Sequence, residues 1–171
     1  MKPKPPPADA PFSRLLEMPS WLITRAYGHS HRLLAEGFAA ADSRGYHYRL
    51  LAALKEFGPA SQADLGRRTG IDRSDVVAAL NELADRGFIE RSPDPDDARR
   101  NVITITPAGA RQLRRLEKVL AGVQDKLLAP LSAADRTKFI RLLTRLVEDE
   151  TDPEPHVSRG GVLRPSSGRR R

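Results

Sequence analysis

Two helix-length apolar stripes separated only by Gly70-Ile71, and followed at once by two β-favouring runs, restrict this chain more than any other pattern in it. Ser61–Thr69 reads as a short helix. Ser61 suits its N-cap, Ala63 and Leu65 are expected to face inward, and Gly70 ends it. Asp72 is the expected cap of the next helix, which runs to about Arg86, and Asp75 stands three residues on, where a capping box places its acid. Val76, Leu80 and Leu83 keep three- and four-residue steps and form the buried stripe of that helix. Gly87 follows as a stop, since the position after a helix cap favours left-handed backbone. Phe88–Arg91 and Val102–Thr106 then read as strands. The turn chemistry of Ser92-Pro93-Asp94-Pro95-Asp96-Asp97 lies between them, so the two make a hairpin.

The flanking segments are helical. Pro19 suits the first turn of a helix to about Ala40, with Ile23, Tyr27, Leu34 and Phe38 on one face. Tyr46–Phe57 is a second helix, with Leu50, Leu51, Leu54 and Phe57 expected inward, closed by Gly58-Pro59. Pro107 opens a long helix through about Leu128, striped by Leu113, Leu116, Leu120, Val123 and Leu127. Ser132 caps a last helix to about Glu150, with Phe139, Leu142, Leu143, Leu146 and Val147 along it. The order is α-α-α-α-β-β-α-α: a mainly α fold with a small β-hairpin wing, which is the layout of a winged helix-turn-helix. Residues 1–18 are expected to be a flexible N-terminal tail, Pro- and Lys-rich at its start, and residues 151–171 a flexible basic tail. The folded domain spans 19–150.

Charge points to an anionic partner, but only by position. The net charge is +7 and the isoelectric point near 10.2. Residues 151–171 hold five arginines against two acids, and residues 1–11 two lysines against one aspartate, which leaves only +3 for the body. There is no cysteine, which excludes disulfides and thiolate metal sites. No apolar run approaches the roughly 20 residues that cross a bilayer, and the first residues lack the apolar stretch of a signal peptide. The expected compartment is the cytoplasm, on the nucleoid. No P-loop, Gly-rich dinucleotide turn, nucleophile–base pairing or metal quartet is present, so an enzyme is not expected, nor a cofactor.

The second helix of the pair carries the chemistry. Its buried stripe leaves Arg73, Ser74, Val77, Ala78 and Asn81 facing outward, short-chained enough to enter a major groove. Ser74 and Asn81 can hydrogen-bond base edges, Val77 and Ala78 can meet thymine methyls, and Arg73 can reach a guanine or a phosphate. Ser61 and Gln62 open the supporting helix. In the hairpin, Arg99 and Arg100 are long cations at a thin tip, suited to a narrow minor groove. Asp97 can pair with Arg99 and fix its guanidinium.

The stretch SQADLGRRTGIDRSDVVAALNELADRGFIERSPDPDDARRNVITITPAG, Ser61 to Gly109, resembles the MarR family of transcription regulators. Asp97 and Arg99 match its wing signature, followed by ITITPAG, and Ile71-Asp72-Arg73-Ser74 matches its usual start of the recognition helix. The recognition-helix candidates for DNA contact are thus Arg73, Ser74, Asp75, Val77, Ala78 and Asn81, and the chain departs from the pattern at Asp75, where Thr is common, and at Val77-Ala78, where Thr-Arg is common. The resemblance spans roughly residues 19–150. It implies a DNA-binding lobe at about 46–109 and dimerisation helices at about 19–40 and 107–150. It also implies a homodimer on a pseudo-palindromic operator of double-stranded DNA, acting as a repressor released by a small aromatic or phenolic ligand. Trp21, Arg25, Tyr27, His31, Tyr46 and Tyr48 are candidates to line that ligand's site. The apolar helices after the wing, about 40 residues, independently suggest more surface than one small lobe covers.

Two other readings use the same residues. A winged helix can serve as a protein-interaction module, with no DNA sequence preference. His29, His31 and His47 raise a metal-responsive regulator, although His29 and His31 are two apart and point in different directions on a helix. Asp94, Asp96 and Asp97 lack the spacing of a calcium loop and read as turn formers.

Overall fold

The computed structural model describes residues 13–93 and 101–148. The order is α1 (Ser13–Leu16), α2 (Pro19–Ala40), α3 (Gly45–Phe57), β1 (Ala60–Ser61), α4 (Gln62–Thr69), α5 (Arg73–Asp85), β2 (Ile89–Pro93), β3 (Asn101–Ile105), α6 (Pro107–Leu127) and α7 (Ala133–Glu148). This is the expected winged helix order with two short additions. The turn α1 lies within the stretch expected as tail, and the two-residue β1 converts the hairpin into a three-stranded antiparallel sheet, β1-β3-β2. Elements of four and two residues are too short to show a periodicity. Packing divides the chain into one unit ending at Ser132 and a second starting at Ala133.

The first unit closes around Leu50, Leu51 and Leu54 of α3, Leu65 of α4, Val76, Leu80 and Leu83 of α5, Ile103 of β3 and Leu116 of α6, all almost fully buried. Two residues expected inward are not. Phe57 sits in the last turn of α3 and is exposed, with the Arg68 guanidinium 4.3 Å from its ring centre. Ala63 is exposed on α4, where the small side chain forfeits little burial. On α2 only Phe38 of the expected stripe is buried and Leu34 half-buried, whereas Ile23 and Tyr27 stand in solvent.

Local geometry explains the punctuation. Gly70 caps α4 in left-handed backbone (φ 59°, ψ 33°), its N–H bonded to Gly66 O. At the end of α5, Gly87 has φ 67°; its N–H bonds Ala84 O at 2.8 Å and the Phe88 N–H bonds Leu83 O at 2.9 Å. That pair of bonds is a Schellman motif and turns the chain sharply into β2. Thr106 then ties three elements together. Its hydroxyl accepts from Gly109 N at 3.0 Å to cap α6 and donates to Gly87 O at 2.8 Å, while its N–H bonds Phe88 O. Gly109 is required there, because a Cβ would lie 2.0 Å from Phe88 O. The ITPAG segment thus fixes the hairpin against the end of α5.

In the second unit, α7 by itself exposes Phe139, Leu142, Leu143 and Leu146, an i, i+3, i+4, i+7 stripe, together with Ile140 and Val147.

Candidate nucleic-acid interface

The short loop Gly70–Asp72 fixes α4 against α5, and the buried Val76, Ala79, Leu80 and Leu83 set the roll of α5 about its axis. That roll leaves Arg73, Ser74, Val77, Ala78 and Asn81 all exposed on the opposite side. Val77 is 37% exposed although Val76 beside it is buried.

The expected cap at Asp72 needs correction. Asp72 occupies the N-cap position, but its side chain makes no capping bond. Its backbone carbonyl alone starts the ladder, accepting from Val76 N at 2.9 Å. The Asp75 carboxylate lies instead beside the Tyr46 hydroxyl of α3. Partial burial and the Asp75 charge, in that order, hold the Tyr46 phenol above its ordinary value, so it remains a hydrogen-bond donor. Asp75 is half-buried under this contact. The acid that departs from the family pattern is therefore turned toward α3.

At the supporting helix, Ser61 is the N-cap, its Oγ accepting from Asp64 N at 3.2 Å. Ser61 and Gln62 are half-buried. Between α4, the start of α5 and the sheet lies an open crevice of about 730 Å³, lined by Ser61, Gln62, Arg67, Arg73, Arg91 and Asn101 among others. Its three arginines differ. Arg67 is ion-paired with Asp64. Among the described residues no carboxylate pairs with Arg73 or Arg91. Arg91 on β2 instead donates through Nη2 to Asn81 Oδ1 at 2.8 Å. Sequence reasoning missed Arg91: it lies ten residues from Asn81 in a different element, and no local periodicity joins the two. The wing residues Asp97, Arg99 and Arg100, with Asp94 and Asp96, lie outside the described residues.

Behind the recognition face sits a buried polar knot. His47 of α3 is 3% exposed. Its Nδ1 lies 3.2 Å from Ser43 Oγ, and its Nε2 lies 3.0 Å from Glu82 Oε2 of α5, close but not well aligned for a hydrogen bond. Glu82 also meets Arg44 at 3.1 Å. One residue turn further along, Arg86 pairs with Asp42 at 3.1 Å and packs over the Phe88 ring. Burial pushes the imidazole below its ordinary range, and Glu82 only partly offsets this.

The six candidate ligand residues do not converge in a single chain. On α2, Arg25 stacks over Trp21 (5.5 Å to the ring centre) and His31 against Tyr27 (5.8 Å between ring centres). On α3, Tyr48 packs on Phe38, while Tyr46 faces Arg49 and Asp75. His29 and His31 are both exposed on α2, and among the described residues no group of three His, Cys, Asp or Glu is placed to hold a metal ion. No helix among them is long and apolar enough to cross a membrane.

A family model described as the MarR family matches residues 42–100. The chain is 24% identical over 154 residues to the HTH-type transcriptional repressor NicR of Pseudomonas putida, spanning 88% of this chain and 98% of that protein. Among solved structures, a probable transcriptional regulator from Pseudomonas aeruginosa superposes with a TM-score of 0.67 at 32% identity, covering 78% of this chain and 99% of the other. The PcaV transcriptional regulator from Streptomyces coelicolor, in complex with its natural ligand, superposes with a TM-score of 0.64 at 30% identity, covering 78% and 94%.

Proposed function

The chain belongs to the MarR family of winged helix-turn-helix transcription regulators, and from that premise we propose that it is a homodimeric repressor of a pseudo-palindromic operator, released by a small aromatic or phenolic anion. The observation that carries the DNA reading is the outward face of α5. Five exposed, mostly short side chains lie along a helix whose other side is locked into the core, beside Arg91, which like Arg73 has no acid partner among the described residues. A helix so held presents its N-terminal half to a major groove, where Ser74 meets base edges, Val77 and Ala78 meet thymine methyls, and Arg73 meets a guanine or phosphate. Ser61 and Gln62 at the start of α4 face the backbone. Asp97, Arg99 and Arg100 extend the contact into the adjacent minor groove. Their role rests on the sequence pattern.

Dimerisation is supported by apolar surface that one chain does not cover: Leu22, Ile23 and Tyr27 on α2, and separately the stripe on α7. Two copies related by a two-fold axis place their recognition helices about one DNA turn apart. Repression follows the relative named as a repressor, and ligand release follows the relative solved with its natural ligand. For the ligand, Trp21, Arg25, Tyr27, His31, Tyr46 and Tyr48 offer stacking faces, one cation and hydroxyl donors suited to a phenolic carboxylate.

Selection from a random duplex pool tests the DNA reading. Enrichment of one pseudo-palindrome, with binding that falls steeply as salt rises, is expected. Arg73→Ala and Arg99→Ala should each weaken binding of that duplex about tenfold. A chain that enriches nothing would be a protein-interaction module instead. Trp21 is the only tryptophan, so its fluorescence reports ligand titrations directly. A phenolic carboxylate that changes the emission without releasing the duplex would refute the release step.

A further inference from the structure

Asn81 is an obvious candidate to read adenine, because an asparagine amide offers one acceptor and one donor to the two polar groups on adenine's major-groove edge. In the folded chain that acceptor is already engaged by a cation. Arg91 Nη2 donates to Asn81 Oδ1 at 2.8 Å. A guanidinium has only donors, so the amide orientation follows from the chemistry: Oδ1 must face Arg91, and Nδ2 must face away. Both side chains are exposed, and the contact joins α5 to β2. Arg91 pairs across the sheet with Ile103 and lines the crevice that also holds Arg73.

We infer that Asn81 is a positioning residue for Arg91, and that the two act as one donor-rich unit whose target is a DNA acceptor. The inference rests on the DNA-binding reading above. Three physical points support it. Among the described residues Arg91 has no carboxylate partner, unlike Arg44, Arg67 and Arg86. A long side chain on an edge strand samples many rotamers, and the Asn81 bond holds its guanidinium beside the recognition helix, lowering what is lost on binding. The combined surface, Nδ2–H of Asn81 and the remaining N–H groups of Arg91, is rich in donors, and its one acceptor, Oδ1, already shares its charge with Arg91. Adenine's exocyclic amine would compete with Arg91 for that oxygen, whereas guanine O6 and N7, or a phosphate oxygen, would meet free donors.

The experiment uses the full chain, a random duplex pool, and the duplex the wild type selects from it. Wild type, Asn81→Ala, Arg91→Ala and the double variant are compared for selected sequence, affinity and salt dependence, with equal urea midpoints confirming that these surface changes leave the fold intact. Arg91→Ala should weaken binding about tenfold, Asn81→Ala several-fold, and the double variant no more than Arg91→Ala alone. If the acceptor is a base, the same guanine preference disappears in all three variants. If it is a phosphate, base preferences stay and the salt slope falls by about one in all three. Losses that add in the double variant, wild-type affinity in Arg91→Ala, or an adenine preference removed by Asn81→Ala and kept by Arg91→Ala would each overturn the inference. Failure of the wild type to select any sequence overturns the DNA reading first, and this inference with it.

Discussion

One buried imidazole makes the core around α3 and α5 sensitive to pH. His47 is buried between Ser43 and Glu82, and a neutral ring protonated on Nε2 suits both: Nδ1 accepts from the serine hydroxyl while the Nε2 proton faces the carboxylate. Burial holds its pKa below the ordinary value of 6.5, with Glu82 opposing and Arg44 and Arg86 adding to the depression. The unfolded chain therefore binds this proton more tightly than the folded one. The stability that follows is fully present above about pH 6.5 and is lost as pH falls through the folded-state value. Urea midpoints should drop between pH 7.5 and 5 in the wild type, and drop less in His47→Gln, whose amide is neutral throughout. Parallel curves for the two proteins would show that the imidazole contributes nothing to the slope. The link from His47 through Glu82 to α5 makes this a property of the recognition helix as well as of the core.

At the scale of the element, α5 shows what a sequence reveals and what it conceals. Its buried stripe and its glycine stop follow from helical period and from the backbone demand at Gly87, and the outward face follows from both. What lies across the fold does not. The Arg91–Asn81 bond and the Tyr46–Asp75 contact each join α5 to another element, so neither has a spacing to betray it. The same blindness to tertiary neighbours misplaced Phe57, which reads as core by residue type yet lies exposed with the Arg68 guanidinium over its ring. Nor did it show that the Asp72 side chain makes no capping bond and that the Asp75 carboxylate lies beside Tyr46. That contact yields a prediction. Asp75→Asn retains an oxygen for the Tyr46 hydroxyl and removes a negative charge from the first turn of α5. DNA affinity should rise several-fold at low salt and converge toward wild type as salt screens the difference. Affinity unchanged at low salt would mean that the carboxylate never feels the phosphates.

At the scale of the whole molecule, the apolar surface argues for a second copy. A lone chain leaves Ile23 49% and Tyr27 62% exposed on α2, and α7 leaves Leu142, Leu143 and Leu146 exposed on one stripe. Scattered apolar side chains need no partner, but contiguous helical stripes do. The periodicity that marked these helices in the sequence said that a face would be covered, and could not say by which chain. A charge placed on such a face separates the alternatives. Leu146 is 60% exposed in one chain, so Leu146→Glu costs little to fold if that chain is the working unit. In a dimer built on this stripe, the same carboxylate must be buried without a partner, which is strongly unfavourable. Sedimentation should then show a dimer for the wild type and a monomer for Leu146→Glu. The monomer reads only one half-site, so its affinity for a full palindrome should fall by about two orders of magnitude or more, as the second contact becomes an independent encounter. Its helical content and its weak binding to a single half-site should be unchanged. A Leu146→Glu chain that remains dimeric would move the interface off this stripe of α7.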